Sequence, residues 1–212
     1  MALGRLEFFY DLSSPWTYLA FTNLVGVVER TGECATLRPV LVGGVFNAVN
    51  PAVYAAREQA GNRKLKHSWK VLKDWAILAD VELNFPSQWH PAKSVNAMRF
   101  CCALADDRPA LTEFSRAAFH SYFGAQENLD DLDVLERVAN EAGLDGAAIR
   151  ARSSSDDVKA LLRANTEELI ARGGYGSPTM FVDGTDMYFG NDQLPLVEAA
   201  LLTRHSREGG NP

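Results

Sequence analysis

The segments of this 212-residue chain that have the pattern of β-strands lie at its two ends, and this separation constrains the fold more than any other feature. Residues 6–10 (LEFFY) and 35–44 (ATLRPVLVGG) are predicted strands on either side of a helix, with Gly43-Gly44 ending the second. Residues 179–190 (TMFVDGTDMYFG) have the pattern of a hairpin with an Asp-Gly turn. Neither end can bury a core alone, so we expect the two to form one four-stranded mixed sheet with helices on both faces.

Residues 44–174, which separate the two strand-bearing ends, are mostly helical in pattern. They are predicted to form an all-helical insertion within a single α/β domain that spans residues 1–203. The last predicted helix runs from Gln193 to about Leu202. Residues 204–212 (RHSREGGNP) contain no apolar side chain, and we expect them to form a flexible C-terminal tail.

Charge and cysteine content argue against several classes of function. The chain has 21 Lys and Arg against 27 Asp and Glu, a formal charge of −6, which disfavours nucleic acid as the main partner. No run of about 18 apolar residues predicts a membrane span, and the N-terminus lacks a signal-peptide pattern. Cys34, Cys101 and Cys102 form no CxxC pair, and no ligand spacing predicts a metal site. We therefore expect a cytoplasmic protein.

The junction between the first strand and the first helix carries the sequence Ser13-Ser14-Pro15-Trp16-Thr17. Either serine is a suitable N-cap, and Pro15 suits the first helical position. Ser14 has a second interpretation. Unpaired N–H groups and the helix dipole favour an anion at this place by roughly 0.3–1 kcal/mol, and the serine hydroxyl can donate a hydrogen bond to a thiolate that a ligand supplies.

Two further motifs admit both a structural and a functional interpretation. Ser177-Pro178 follows a glycine turn and precedes a strand, so it is either a plain turn or a cis peptide whose preceding residue pairs with an extended ligand. Asn191-Asp192 precedes the last helix. One of these residues caps that helix, or the Asp192 carboxylate binds an ammonium group.

A basic run, NRKLKHSWKVLK, begins at residue 62. It predicts either a solvated helix face or an anchor for a carboxylated ligand. Its cationic side chains are Arg63, Lys64, Lys66, Lys70 and Lys73.

Three of these segments together resemble one family. FYDLSSPWTYLAF, GSPTMFVDG and MYFGNDQL are similar, in that order, to the opening strand and active-site turn, the cis-proline segment and the closing signature of a thioredoxin-fold group. That group holds DsbA-like proteins, kappa-class glutathione transferases and 2-hydroxychromene-2-carboxylate isomerases. The similarity runs from about Leu6 to Leu202. It implies a thioredoxin-like fold, a four-stranded mixed sheet with a large all-helical insertion.

The resemblance also implies a chemistry. Ser14 and Thr17 occupy the positions of the Cys-x-x-Cys pair of disulfide oxidoreductases, and hydroxyls do not exchange disulfides. Without disulfide exchange, this position can still bind a thiolate, and in the resembled enzymes the thiolate belongs to glutathione. Ser14 is then the catalytic residue, which lowers the pKa of the glutathione thiol.

The glutathione-binding residues implied by the resemblance are Ser14, Asn50, Ser177, Pro178, Asn191 and Asp192. The backbone of Ser177 would pair with the cysteinyl part, and Asn191 and Asp192 would hold the γ-glutamyl end. Asn50 resembles an asparagine of the substrate-side loop. Two positions depart from the family pattern: Gln193 stands where arginine is frequent, and Lys93 stands where isomerases commonly have asparagine.

The activity implied is glutathione-dependent isomerisation of an aromatic carboxylate, as in aromatic catabolism, by thiolate addition, bond rotation and elimination. Two alternatives are a kappa-like transferase that conjugates other electrophiles and a non-catalytic thioredoxin-fold binding protein. The resemblance further implies a homodimer.

Overall fold

The computed structural model describes residues 5–53 and 63–208, the last five of these as backbone only. The strands are β1 (Leu6–Tyr10), β2 (Ala35–Pro39), β3 (Thr179–Val182) and β4 (Asp186–Phe189). The described helices are α1 (Pro15–Thr31), α2 (Val42–Val49), α3 (Arg63–Leu78), α4 (Val95–Ala103), α5 (Arg108–Phe123), α6 (Leu132–Glu141), α7 (Gly146–Ser153), α8 (Asp156–Ala171) and α9 (Leu194–Glu208). A 3₁₀ turn, Asn191–Gln193, leads into α9.

The strands from the two ends of the chain form one sheet in the order β2-β1-β3-β4. β1 pairs in parallel with β2 and antiparallel with β3, so Leu6 lies between Ala35 and Val182. β3 and β4 form the antiparallel hairpin. The predicted thioredoxin-like fold with a four-stranded mixed sheet is confirmed, and the helices α2 to α8 lie between β2 and β3 in the chain.

Every residue of β1 is buried because helices cover both faces of the sheet. Phe8 and Tyr10 point into the larger core cluster with α1, α4, α5 and α9. Phe9 points to the opposite face, where it packs with Phe181 and Leu169. Each buried aromatic or aliphatic side chain of this kind stabilises the fold by roughly 1.5–3 kcal/mol.

A third apolar cluster attaches α3 to α1. Leu72 and Ala76 of α3 pack on Leu19 of α1, with Trp16 and Trp75 at the edge. Leu19, Leu72 and Ala76 are at most 5 % exposed, whereas the other side of α3 faces solvent. This contact sets α3 beside the start of α1, where the candidate site lies.

The second strand is shorter than predicted. β2 ends at Pro39, and Gly43-Gly44, expected to end the strand, lies in the first turn of α2. The Val40 N–H still donates to Tyr10 O, but the Val42 N–H donates to the Asp11 carboxylate (2.8 Å). This buried acceptor lies at the N-terminus of α2 and turns the chain into a helix.

The C-terminal boundary also differs from the prediction. The last helix continues to Glu208, so residues 204–208, expected in a flexible tail, are helical. The physical reason is that Arg and Glu are good helix formers and no breaker occurs before Gly209. Residues 209–212 lie outside the described residues. No helix in the described part of the chain is both long and apolar enough to cross a membrane.

Candidate active site

Ser14 lies at the N-terminus of α1 and is its N-cap. Its backbone is extended (φ −97°, ψ 119°), and its Oγ accepts a hydrogen bond from the Thr17 N–H at 3.2 Å. The Ser14 hydroxyl in turn donates to the carbonyl oxygen of Ser177 at 3.1 Å. The side chain therefore caps the helix and also joins two of the predicted motifs, which are 163 residues apart in the chain.

The Ser177-Pro178 peptide bond is cis, as predicted. The Ser177 hydroxyl accepts from the Asp11 N–H at 2.9 Å and shares a 2.8 Å hydrogen bond with the buried Thr17 hydroxyl. The backbone N–H of Ser177 has no partner among the residues that the structure describes. A backbone donor and acceptor thus stand next to the Ser14 hydroxyl.

Asp11 was not predicted to be functional, although it is the acidic residue that ends a buried strand. Its carboxylate is fully buried and accepts from the Ser13 N–H (2.9 Å), the Val42 N–H (2.8 Å) and the Ser94 hydroxyl (3.0 Å). Burial raises the pKa of Asp11 above 3.8, and these hydrogen bonds offset part of that increase. One carboxylate therefore ties the serine turn to α2 and to the turn before α4.

A cleft of about 400 Å³ opens beside Ser14 and Ser177. Its wall is formed mainly by α3 on one side and by the segment Phe85–Pro91 on another, in which the Phe85-Pro86 and His90-Pro91 bonds are cis. The aromatic lining residues are Trp16, Phe46, Trp69, Phe85 and Phe189. An apolar, ring-lined cleft of this kind suits an aromatic ligand.

A larger cavity of about 760 Å³ adjoins the cleft. The two share Ser13, Val42, Phe46, His90 and Pro91 as lining residues. Lys93 enters the larger cavity, and its ammonium lies 4.0 Å from the Asp130 carboxylate. Lys93 is largely exposed, so this pair is weak and its cation is available to a ligand.

Of the two predicted residues before the last helix, Asn191 is buried and Asp192 is exposed. Asn191 is 2 % exposed, and its Oδ1 accepts from the Asn23 amide at 2.9 Å, which holds the 3₁₀ turn against α1. Asp192 is exposed and forms no ion pair with the residues that the structure describes. Gln193 accepts from the Phe189 N–H at 3.2 Å, which links the turn to a residue of the cleft wall.

The remaining predicted residues lie at the margin of the site. Asn50 ends α2 and donates to Tyr175 O at 3.3 Å, near the cis-proline turn. In α3 the residues that line the cleft are Leu65, Ser68, Trp69 and Leu72. Lys66, Lys70 and Lys73 are exposed, and Lys70 pairs with Asp74, as expected of a solvated helix face. Among the side chains that the structure describes, in residues 5–53 and 63–203, no cluster of His, Cys, Asp and Glu has the size of a metal site.

Two curated relatives are similar to this chain over most of its length. The chain is 29 % identical over 207 residues to a 2-hydroxychromene-2-carboxylate isomerase of Sphingobium xenophagum, covering 93 % of this chain and 97 % of the relative. It is 28 % identical over 203 residues to glutathione S-transferase kappa 1 of Rattus norvegicus, covering 92 % and 90 % respectively.

The solved structure of a 2-hydroxychromene-2-carboxylate isomerase superposes with a TM-score of 0.78 at 23 % identity. The match covers 97 % of this chain and 99 % of that structure, so it supports the fold. The family model of the DSBA-like thioredoxin domain matches residues 5–202. This chain therefore belongs to the DSBA-like thioredoxin domain family.

Proposed function

We propose that this protein is a glutathione-dependent isomerase of the 2-hydroxychromene-2-carboxylate isomerase type. One observation carries the proposal: the Ser14 hydroxyl lies at the N-terminus of α1 and 3.1 Å from the carbonyl oxygen of the residue before cis-Pro178. A hydroxyl at position 14 cannot exchange disulfides. The helix terminus nevertheless favours an anion, so the position suits a thiolate that a ligand supplies.

The residues present fit glutathione. The Ser177 N–H, which has no partner within the described part of the chain, and the Ser177 carbonyl offer a backbone edge to the cysteinyl part, next to the Pro178 ring. The exposed Asp192 carboxylate suits the γ-glutamyl ammonium, and buried Asn191 holds the turn that presents it. Asn50, bonded to Tyr175 O, supports the loop before the cis-proline. Bound glutathione supplies the thiolate that adds to the substrate and is expelled after bond rotation.

Ser14 has to redirect its hydroxyl proton to serve this chemistry. In the structure that proton is donated to the Ser177 carbonyl, which is also the acceptor offered to the ligand backbone. The Ser177 carbonyl oxygen has two lone pairs, so it can accept from a ligand N–H whether or not Ser14 donates to it. When a thiolate is bound, the Ser14 O–H turns from this carbonyl to the sulfur, while Oγ still accepts from the Thr17 N–H.

The cleft supports an aromatic carboxylate as substrate. Its aromatic lining accepts a ring beside Ser14, and Lys93 in the adjoining cavity provides a cation for a carboxylate.

Kappa-like glutathione transfer is the second candidate, because the identities to a kappa transferase (28 %) and to an isomerase (29 %) are nearly equal. The same cleft accepts other apolar electrophiles. A non-catalytic binding protein is the third candidate.

The decisive experiment combines calorimetry with a thiol count. Glutathione binding is measured first, and the protein is then incubated with 2-hydroxychromene-2-carboxylate and glutathione while free thiol and product are followed. An isomerase converts the substrate with no loss of thiol, a transferase consumes one thiol per product, and a binding protein binds glutathione without turnover. Absence of glutathione binding, or conversion that is equally fast without it, would contradict the proposal.

A further inference from the structure

A third cavity, of about 370 Å³, lies between α2, α4 and α8, away from Ser14. Leu41, Gly44 and Val95 line both this cavity and the 760 Å³ cavity described above, so the two are neighbours along one trough. Its remaining walls carry cations from two helices. Arg99 comes from α4, and Lys159 and Arg163 come from α8.

Arg99 differs from the other half-buried arginines of the described chain in its lack of a partner. The others, Arg5, Arg38, Arg150 and Arg172, each pair with at least one carboxylate. Arg99 is half-buried and forms no ion pair with any residue that the structure describes. A guanidinium that loses part of its hydration normally gains a paired anion.

The neighbouring groups leave this charge uncompensated. Arg163 also lacks an ion pair in the described chain, and Lys159 is paired with Asp156 at 3.1 Å. Glu167 is the one acidic residue that lines the cavity; it is exposed and forms no ion pair with either arginine. Two guanidinium groups therefore face one cavity in a chain whose formal charge is −6.

We propose that this cavity binds an oxyanion, the carboxylate or phosphate group of a small-molecule ligand, between Arg99 and Arg163. Guanidinium groups match the paired oxygens of such anions, and the apolar residues Leu162 and Ile170 accommodate the attached body of the ligand. The anion is either the far end of an elongated substrate that follows the trough or a separate small molecule. The oxyanion site itself does not depend on the function proposed at Ser14; only the elongated-substrate case does.

Thermal unfolding at constant ionic strength tests the site. Inorganic phosphate and benzoate are titrated against matched chloride, into the wild type and into Arg99→Gln, Arg163→Gln and Arg108→Gln. Arg108 is an exposed arginine that does not line the cavity and forms no ion pair with the described residues, so its variant is the matched control. We expect a saturable rise in Tm with at least one probe for the wild type and Arg108→Gln, and an apparent affinity at least tenfold weaker for the other two.

Stability without added anion provides a second readout. Because Arg99 is half-buried and unpaired, Arg99→Gln and Arg99→Met should unfold at a temperature equal to or above that of the wild type in chloride. If neither probe stabilises the wild type saturably, or if Arg99→Gln responds as the wild type does, the proposal is wrong.

Competition kinetics then distinguish the two sources of the anion. If the bound probe raises KM for the electrophile and leaves kcat unchanged, the site holds the end of the substrate. If it stabilises the protein without changing KM, the site holds a separate anion. Both results support an oxyanion site. The Tm titration needs neither glutathione nor turnover, so failure of the proposed isomerase function leaves this test intact.

Discussion

At the scale of single residues, Ser14 shows how one side chain can be a cap and a candidate catalyst at once. Its Oγ accepts from the Thr17 N–H and its proton goes to Ser177 O, so the two roles use different parts of the hydroxyl. A variant at this position separates them, because loss of a cap changes stability and loss of a donor changes the acidity of a bound thiol.

Ser14→Ala should keep its fold and still bind glutathione, with a loss of about 1 kcal/mol in the free energy of unfolding. Loss of a charge-assisted hydrogen bond, roughly 1.5–3 kcal/mol, should raise the pKa of the bound thiol by about one to two. Turnover at neutral pH should then fall by roughly tenfold or more. Ultraviolet titration of the bound thiolate and steady-state kinetics measure the two effects.

Asp145→Ala provides the matched control. The Asp145 carboxylate caps α7 by accepting from the Ala148 N–H at 2.9 Å, and it lies far along the chain from Ser14. This variant should lose similar stability and leave the thiol pKa unchanged. Should Ser14→Ala behave like this control, Ser14 is a cap only, and Thr17 or Lys66 becomes the next candidate.

Asp11→Asn probes the buried carboxylate behind the serine turn. Burial raises the pKa of Asp11 in the folded protein above 3.8, so the folded state holds the proton more tightly than the unfolded state. The contribution of Asp11 to stability is therefore most favourable at low pH and declines as pH rises from about 3.8 through the folded-state pKa.

We therefore expect the free energy of unfolding of the wild type to fall, relative to that of Asp11→Asn, as pH rises through this range. Urea denaturation of both proteins at a series of pH values measures the difference. A difference between the two proteins that is independent of pH, or that grows in favour of the wild type as pH rises, would show that the Asp11 pKa is not raised.

At the scale of elements, the predictions succeeded where local residues decide the structure. β1 is a short apolar run, and α1 has Ser14 and Pro15 at its start and Gly32, at φ 68°, after its end. The start of α2 was missed because Val42 depends on a carboxylate 31 residues earlier in the chain. Burial of Asn191 was missed for the same reason, since its partner is Asn23 on another helix.

The position of α3 beside the cleft rests on its apolar contact with α1. Leu72 is 2 % exposed and packs on Leu19, so Leu72→Ala should lower the free energy of unfolding by about 2–5 kcal/mol. The control is Ile77, which is on the same helix and 80 % exposed. Ile77→Ala should change the free energy of unfolding by less than about 0.5 kcal/mol. Chemical unfolding of both variants tests the contact, and equal losses would contradict it.

At the scale of the whole molecule, the sheet unites the two ends of the chain. Ion pairs of Glu7 on β1 also connect the two ends of the chain. Glu7 is 3 % exposed, and it pairs with Arg38 of β2 and with Arg172, which follows α8. The neighbouring Phe9 and Phe181 rings receive these guanidinium groups on their faces. The sequence predicted a single four-stranded sheet, because each end of the chain is too small to be stable alone. The order of the strands and these ion pairs between distant segments had no local signal in the sequence.

The homodimer expected from the family resemblance belongs to this scale. Sedimentation equilibrium at micromolar protein should show a species of twice the chain mass. A monomer throughout that range would contradict the expectation, and it would leave the site at Ser14 unaffected, because Ser14, Thr17 and Ser177 come from one chain.

The hydrogen bond between Ser14 and Ser177 has a consequence for the order in which the protein matures. Its two residues are 163 positions apart, so during synthesis the serine turn leaves the ribosome long before its partner exists. α1 and the parallel pair β1–β2 can begin to form on the nascent chain, but the cis-proline turn closes the pocket only after the helices between have been made. Competence to bind a thiol ligand should therefore arise abruptly, near the end of translation, and fragments that stop before residue 177 should lack it altogether.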